Sequence, residues 1–279
     1  MNQKKIKAVI SDLDGTLLSH EHVVSAYTKE VIQALTEEGI HFMIATGRHY
    51  MDAGNIKERL GVETYMIAAN GATVTNHAGE LVFQAEIDRA VVKAILEIPT
   101  DVGVYKNLYQ GEKWLMEEHD RVFNDYYQEG DFVYQLCRFE DHLHLPTNKV
   151  FFTSKDNAKL TKIADIVKAQ FSEHVEVTFS LPQCLEIMPK GVNKGSAILA
   201  MLEKFDIHPD EVIAFGDGLN DYEMLQVVGK GYLMGNANHQ LKERLPEHEV
   251  IGYNSEDAVA RQIVKVFNLQ GKVPYKAAI

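Results

Sequence analysis

The chain has 279 residues, 46% hydrophobic and 24% charged, enough for one large domain or two modest ones with a core in either case. A formal charge of −12 disfavours nucleic acid and anionic membrane surfaces as partners. No apolar run approaches a membrane span, and Ala8-Val9-Ile10 is too short for a signal-peptide core, so the expectation is a cytoplasmic protein, a monomer or weak homo-oligomer.

Residues 7–11 form a short apolar strand ending in Ser11-Asp12. Residues 25–38 have helical periodicity, with Ser25 as N-cap and Gly39 as stop. The run 40–45 (IHFMIA) has strand length and ends in Thr46-Gly47-Arg48; a helix follows to Leu60, closed by Gly61. Residues 65–69 make another apolar strand, running into Asn70-Gly71. Strands that alternate with helices and are apolar on both faces predict a parallel sheet covered on both sides. Residues 72–85 read as a hairpin turning at 76–79.

From there to Pro189 the texture is more polar and more aromatic, with Tyr105, Tyr109, Trp114, Tyr126, Tyr127, Phe132, Tyr134 and Phe139. Helices are expected over 88–97 and 156–171, and strands over 151–153, 175–180 and 184–188. The α/β rhythm resumes with a helix over 194–205 capped by Asn193, a strand over 211–215, a helix, a short strand over 231–234 and a last helix over 257–267. The fold class is therefore α/β: a Rossmann-like parallel-sheet core built from 1–85 and 190–279, with 86–189 inserted as an α+β cap domain. Cys137 and Cys184 lack metal-ligand spacing and read as reduced, buried thiols.

Four polar clusters fall at strand ends or at a helix start, and in open parallel sheets the carboxyl ends of strands form the ligand crevice. In Asp12-Leu13-Asp14-Gly15-Thr16, two acids directly after a buried strand need compensation, which a divalent cation would supply. Asp12 is placed to attack phosphorus, and Asp14 to protonate the leaving oxygen and then deprotonate water. Thr46 and Gly47 offer a hydroxyl and a backbone N–H to a phosphoryl oxygen, although Thr46 can equally be a helix N-cap; Arg48 either reaches substrate or pairs with surface acids. Lys194 opens a helix, where a cation opposes the macrodipole unless an anion binds there; the alternative is a solvated surface lysine. In Gly216-Asp217-Gly218-Leu219-Asn220-Asp221, Asp217 is a second metal carboxylate, Asn220 a phosphate donor, and Asp221 an orienter of Lys194 or a ligand of metal-bound water. An acidic chain repels a phosphorylated substrate, so such a site has to generate positive potential locally.

With these motifs in this order, the sequence resembles the haloacid dehalogenase superfamily of aspartate-nucleophile phosphatases, through DLDGT at Asp12, ATGR at Thr46, Lys194 and GDGLND at Asp217. An insert between the second and third motifs is similar to the Cof-type subfamily. ATGRH, ANGA, VFFT, CLEIMPKGVNKG and FGDGLNDYEML resemble members that act on pyridoxal phosphate and sugar phosphates. The resemblance implies a phosphatase of small phosphorylated metabolites working through an aspartyl-phosphate. Asp12, Asp217 and the backbone carbonyl of Asp14 would be ligands of Mg²⁺, and Leu13, Thr46, Gly47, Lys194 and Asn220 would hold phosphate. Asp221, Arg48 and Asn70 support the site, and His49 and Asn70 flank it as weaker specificity candidates. The alternatives are a phosphomutase on the same fold and a non-catalytic sensor of a phosphorylated metabolite.

Overall fold

A computed structural model describes residues 5–119 and 132–273; Tyr126 and Tyr127 lie outside the described residues. In chain order the elements are β1 (Ala8–Ser11), α1 (Ala26–Glu37), β2 (His41–Ala45), α2 (Tyr50–Leu60), β3 (Tyr65–Ala68), β4 (Thr73–Thr75), β5 (Leu81–Gln84), α3 (Arg89–Leu96), β6 (Tyr105–Gln110), β7 (Lys113–Met116), β8 (Gln135–Leu136), β9 (Lys149–Thr153), α4 (Asn157–Phe171), β10 (Val175–Leu181), β11 (Cys184–Pro189), α5 (Lys194–Lys204), β12 (Val212–Gly216), α6 (Tyr222–Val227), β13 (Lys230–Leu233), α7 (His239–Arg244), β14 (Glu249–Val250) and α8 (Ala258–Phe267).

Two sheets result. The larger runs β14-β13-β12-β1-β2-β3-β4-β5. Its strands pair in parallel from β14 to β3, and the antiparallel β4–β5 hairpin completes one edge. β1 lies between β2, which follows it, and β12, which comes some 200 residues later. The winding direction reverses there, so the carboxyl ends of β1, β2 and β12 converge on a crevice. Val9, Ile10, Met43, Ile44, Ala214 and Phe215 are wholly buried on these strands because helices cover both faces.

The smaller sheet runs β10-β11-β9-β6-β7-β8. Alternation along its strands separates two faces. Leu108, Leu115, Val150, Phe152, Leu185 and Ile187 pack with residues of α3 and α4 in one core. The other face carries Tyr109, Trp114, Phe151 and Cys184, which cluster with Ala69 and Ala72 of the larger sheet's loops. The aromatic residues of the insert thus largely build the contact between the two sheets.

Ser25, Asp88, Asp156 and Asn193 cap their helices by accepting backbone N–H bonds. The cap of α2 is His49 rather than Thr46: its Nδ1 accepts from the Met51 N–H at 3.1 Å. β6 and β7 escaped the sequence reading because polar residues occupy inward positions of YKNLYQ. Those side chains are paired inside: Trp114 Nε1 donates to Asn107 Oδ1 at 2.8 Å, and Gln110 Nε2 donates to Thr147 Oγ1 at 2.8 Å. Both cysteines are thiols rather than disulfide halves; Cys184 is buried, whereas Cys137 is only half-buried, contrary to expectation.

Candidate active site

At the end of β1, the Asp12 N–H donates to Phe215 O at 3.0 Å, so the chain stays tied to β12 as it leaves the sheet. Gly15 then turns with φ +75°, and a Cβ there would lie 2.3 Å from Asp217 Oδ2. Only glycine lets the first motif approach the fourth this closely. Thr16 Oγ1 donates to Asp217 Oδ1 at 3.0 Å and completes the link. A second close approach sets α5: at Gly71 (φ +100°) a Cβ would meet Asn193 O at 2.5 Å, so the loop after β3 rests against the helix start that carries Lys194.

Lys194 is fully buried, which excludes the solvated surface alternative. Its Nζ donates to Asp12 Oδ1 and to Asp221 Oδ1, both at 2.6 Å. Burial opposes its charge, but Asp12 and Asp221 overcome that and hold the ammonium protonated, above the usual lysine range. Asp221 accepts at both oxygens, since Oδ2 takes the N–H groups of Asp217 and Gly218 at 2.8 and 2.9 Å. Both of its oxygens are thus engaged, and the Lys194 ammonium is held between Asp221 and Asp12.

One oxygen from each of Asp12, Asp217 and Asp221 lies within 4.8 Å of the others. Burial drives the Asp12 carboxyl up to about 7, against the pull of Lys194 and with repulsion from Asp221 and Asp14. Burial, followed by repulsion from Asp12 and Asp221, lifts Asp217 well above the carboxylate range. One ammonium does not balance this cluster. A hard divalent cation on oxygen ligands matches the donor set and the missing charge, and Asp12 and Asp217 are the side chains fitted to hold it.

Asp14, two residues from Asp12, faces elsewhere. Arg48 grips its carboxylate, with Nε to Oδ2 at 2.7 Å and Nη2 to Oδ1 at 2.6 Å, and His22 Nδ1 lies 3.3 Å from Oδ1. Burial would raise Asp14, but the hydrogen bonds and charges of Arg48 and His22 prevail and hold it well below the carboxylate range. Arg48 Nη1 also reaches Asp52 Oδ2 at 3.3 Å. Arg48 thus pairs with acids, but with acids inside the site rather than on a solvated surface.

Thr46 is buried, and its Oγ1 accepts from the Arg48 N–H at 3.1 Å. Leu13 has a buried side chain, and Gly47, Asp12, Asp14, Asp217 and Asn220 line a cavity of ≈ 70 Å³ between the two sheets. Asn220 Nδ2 donates to Asn70 Oδ1 at 3.0 Å. From the smaller sheet, Tyr109, Lys149, Phe151 and Glu186 close the same cavity. A larger cleft of ≈ 650 Å³ adjoins it, sharing Ser180, Leu181 and Asn220. Every residue singled out in the four motifs thus falls at or beside this crevice.

Lys149, Glu186, His22 and Asp52 were not singled out from sequence. The legible signal was chemical: Lys149 opens the apolar run KVFFT, and Glu186 sits inside the buried strand CLEIMP. An ionisable residue in such a strand needs a partner. His49, expected beside the site, docks the insert instead. Its Nε2 lies 2.8 Å from Gly111 O and its ring stacks on Phe132 at 4.3 Å. With Nδ1 already an acceptor, the proton sits on Nε2 and donates to Gly111 O.

The family model for haloacid dehalogenase-like hydrolases matches residues 9–263. A Haemophilus influenzae protein named "Putative phosphatase" is 37% identical over 265 residues, covering 94% of this chain and 97% of its own. The HMP-PP phosphatase of Yersinia pseudotuberculosis is 31% identical over 252 residues, covering 90% and 92% respectively. Among solved structures, a haloacid dehalogenase-like hydrolase from B. subtilis superposes with a TM-score of 0.82 at 26% identity, covering 92% of this chain and 99% of its own.

Proposed function

The chain belongs to the haloacid dehalogenase-like hydrolase family and is a phosphatase, and from that premise we propose that it hydrolyses small phosphate monoesters with Asp12 as nucleophile and Mg²⁺ as cofactor. Asp12 Oδ attacks phosphorus, the bond to the leaving oxygen breaks, and that oxygen takes a proton from Asp14. Water then attacks the aspartyl-phosphate, gives its proton to Asp14, and inorganic phosphate departs with Asp12 restored.

Lys194, Thr46, the N–H groups of Leu13 and Gly47, and Asn220 hold the phosphoryl oxygens. Asp221 aims Lys194. Mg²⁺ would be held by Asp12, Asp217 and the Asp14 backbone carbonyl, and when bound it neutralises charge between carboxylates and phosphoryl group. For Asp14 to act as an acid, Arg48 has to release it; an incoming phosphate ester offers Arg48 a competing anion. The convergence of Asp12, Asp217 and Asp221 around a single buried ammonium carries this reading.

The inserted domain acts as a cap that excludes water and selects substrate. Tyr109 and Phe151 in the cavity wall favour a ring-bearing phosphate such as pyridoxal phosphate or a sugar phosphate. The similarity to a protein named HMP-PP phosphatase supports a small phosphorylated substrate. The deciding experiment is a phosphate-release screen over sugar phosphates, nucleotides and pyridoxal phosphate, with and without Mg²⁺. Metal-dependent release from ring-bearing monoesters that disappears in Asp12→Asn is expected. Release from none of them, or release indifferent to chelator and to Asp12→Asn, overturns the reading.

A further inference from the structure

Lys149 and Glu186 form an ion pair at 2.5 Å with both side chains almost fully buried. Strand register brings them together: Glu186 pairs with Phe151, and Lys149 lies two residues before Phe151 on the same face. Tyr109, opposite Lys149 on β6, places its ring 4.6 Å from the ammonium. A pair so far from water brings little net stability, because desolvation offsets the attraction. Its surroundings indicate another purpose.

Lys149 Nζ also donates to Gly47 O at 2.8 Å. The remaining oxygen of Glu186 accepts from Asn70 Nδ2 at 2.6 Å, and Asn70 Oδ1 accepts from Asn220 Nδ2 at 3.0 Å. A carboxylate only accepts, so Glu186 compels the Asn70 amide to present its nitrogen inward and its oxygen toward Asn220. Asn220 must then offer an N–H to Asn70, which fixes its amide plane and leaves its second Nδ2 hydrogen for another acceptor. Asn70 sits in the left-handed region at φ +54°, a conformation asparagine tolerates. The chain passes directly over Gly47, where a Cβ would lie 3.1 Å from Asn70 Oδ1, 3.4 Å from Glu186 Oε2 and 3.5 Å from Asn220 Nδ2.

We propose that Glu186, held by Lys149, is a positioning residue for phosphate: through Asn70 it sets the orientation of the Asn220 amide, so that the smaller sheet completes the phosphate site only when seated on the larger one. This rests on the reading above that Asn220 donates to phosphate.

The test compares Glu186→Gln, Asn70→Gly, the double variant and Asn220→Ala. Glycine is chosen at position 70 because it keeps the left-handed backbone. The probe is inorganic phosphate, read as its competitive inhibition constant against p-nitrophenyl phosphate and as the rise it causes in melting temperature. Each single variant is expected to weaken phosphate about fivefold to tenfold, and the double variant no more than the worse single one. Losses that multiply in the double variant overturn the relay. So does a lowered melting temperature with unchanged phosphate affinity, provided Asn220→Ala still weakens phosphate. Should Asn220→Ala leave phosphate binding intact, the phosphate role of Asn220 fails first and the relay falls with it. If Glu186→Gln does not fold, Asn70→Gly decides alone: unchanged phosphate affinity overturns the proposal.

Discussion

Arg48 and Asp14 face each other as a two-pronged ion pair, at 2.7 and 2.6 Å, although Asp14 lies only two residues from the proposed nucleophile. The pair stores the acid in its ionised form and away from the carboxylate cluster. On the proposed mechanism the Asp14 side chain therefore serves to move protons rather than to assemble the site. In Asp14→Asn, an aryl phosphate, whose phenolate leaves without a proton, should still phosphorylate Asp12. A burst of one nitrophenol per enzyme followed by turnover about 10²–10⁴-fold slower is expected, while alkyl phosphates show no burst. Rapid-quench kinetics with the two ester types checks this, and equal losses on both would contradict it.

Asp12→Asn separates function from stability. Burial holds the Asp12 carboxyl at about 7, so its ionised form works against the metal-free fold near neutral pH. The amide should abolish turnover and yet melt at the same temperature as the parent or higher. A destabilised, partly active Asp12→Asn would contradict both statements.

Lys194 should behave in the opposite way. Its ammonium is the shared counter-charge for Asp12 and Asp221, all three buried. Lys194→Met leaves two acids uncompensated, for which a loss of about 3–5 kcal/mol is expected in denaturant unfolding. Adding Asp221→Asn should recover part of that stability without restoring activity.

Metal binding has its own signature. Mg²⁺ at about one hundred times its dissociation constant should stabilise the protein by ~2.7 kcal/mol, read as a rise in melting temperature. Asp217→Asn should largely remove that rise. A rise that persists undiminished would place the ion elsewhere.

His49 predicts a pH dependence away from the carboxylates. Burial lowers its imidazole to about 3, partly countered by the bond to Gly111 O, with Lys149 lowering it further. A histidine whose folded value lies below its unfolded one contributes stability that is present above about 6.5 and lost as pH falls. Between pH 7.5 and 5.5 the unfolded chain binds a proton that the folded one refuses, a loss of about 1.4 kcal/mol. Relative to the parent, His49→Gln should flatten that part of the stability profile by this amount, measured by urea unfolding at both pH values.

The amino-acid order alone determined the strand–helix alternation and the four motifs, because a buried parallel strand must be apolar on both faces and the polar residues stop where it ends. Asp12, Thr46 and Asp217 are legible for that reason: each follows such a strand directly. What Asp14, Arg48, His49, Lys149 and Glu186 do was decided only by tertiary contact. A charged side chain in isolation reads the same whether it meets water, substrate or another charge, and the partner lies 34 residues away in Arg48–Asp14 and 37 residues away in Lys149–Glu186. The inward face of the smaller sheet was hidden for a related reason. Asn107, Gln110 and Lys149 break the apolar pattern that marks a strand, and only packing supplies the partners that make them tolerable inside.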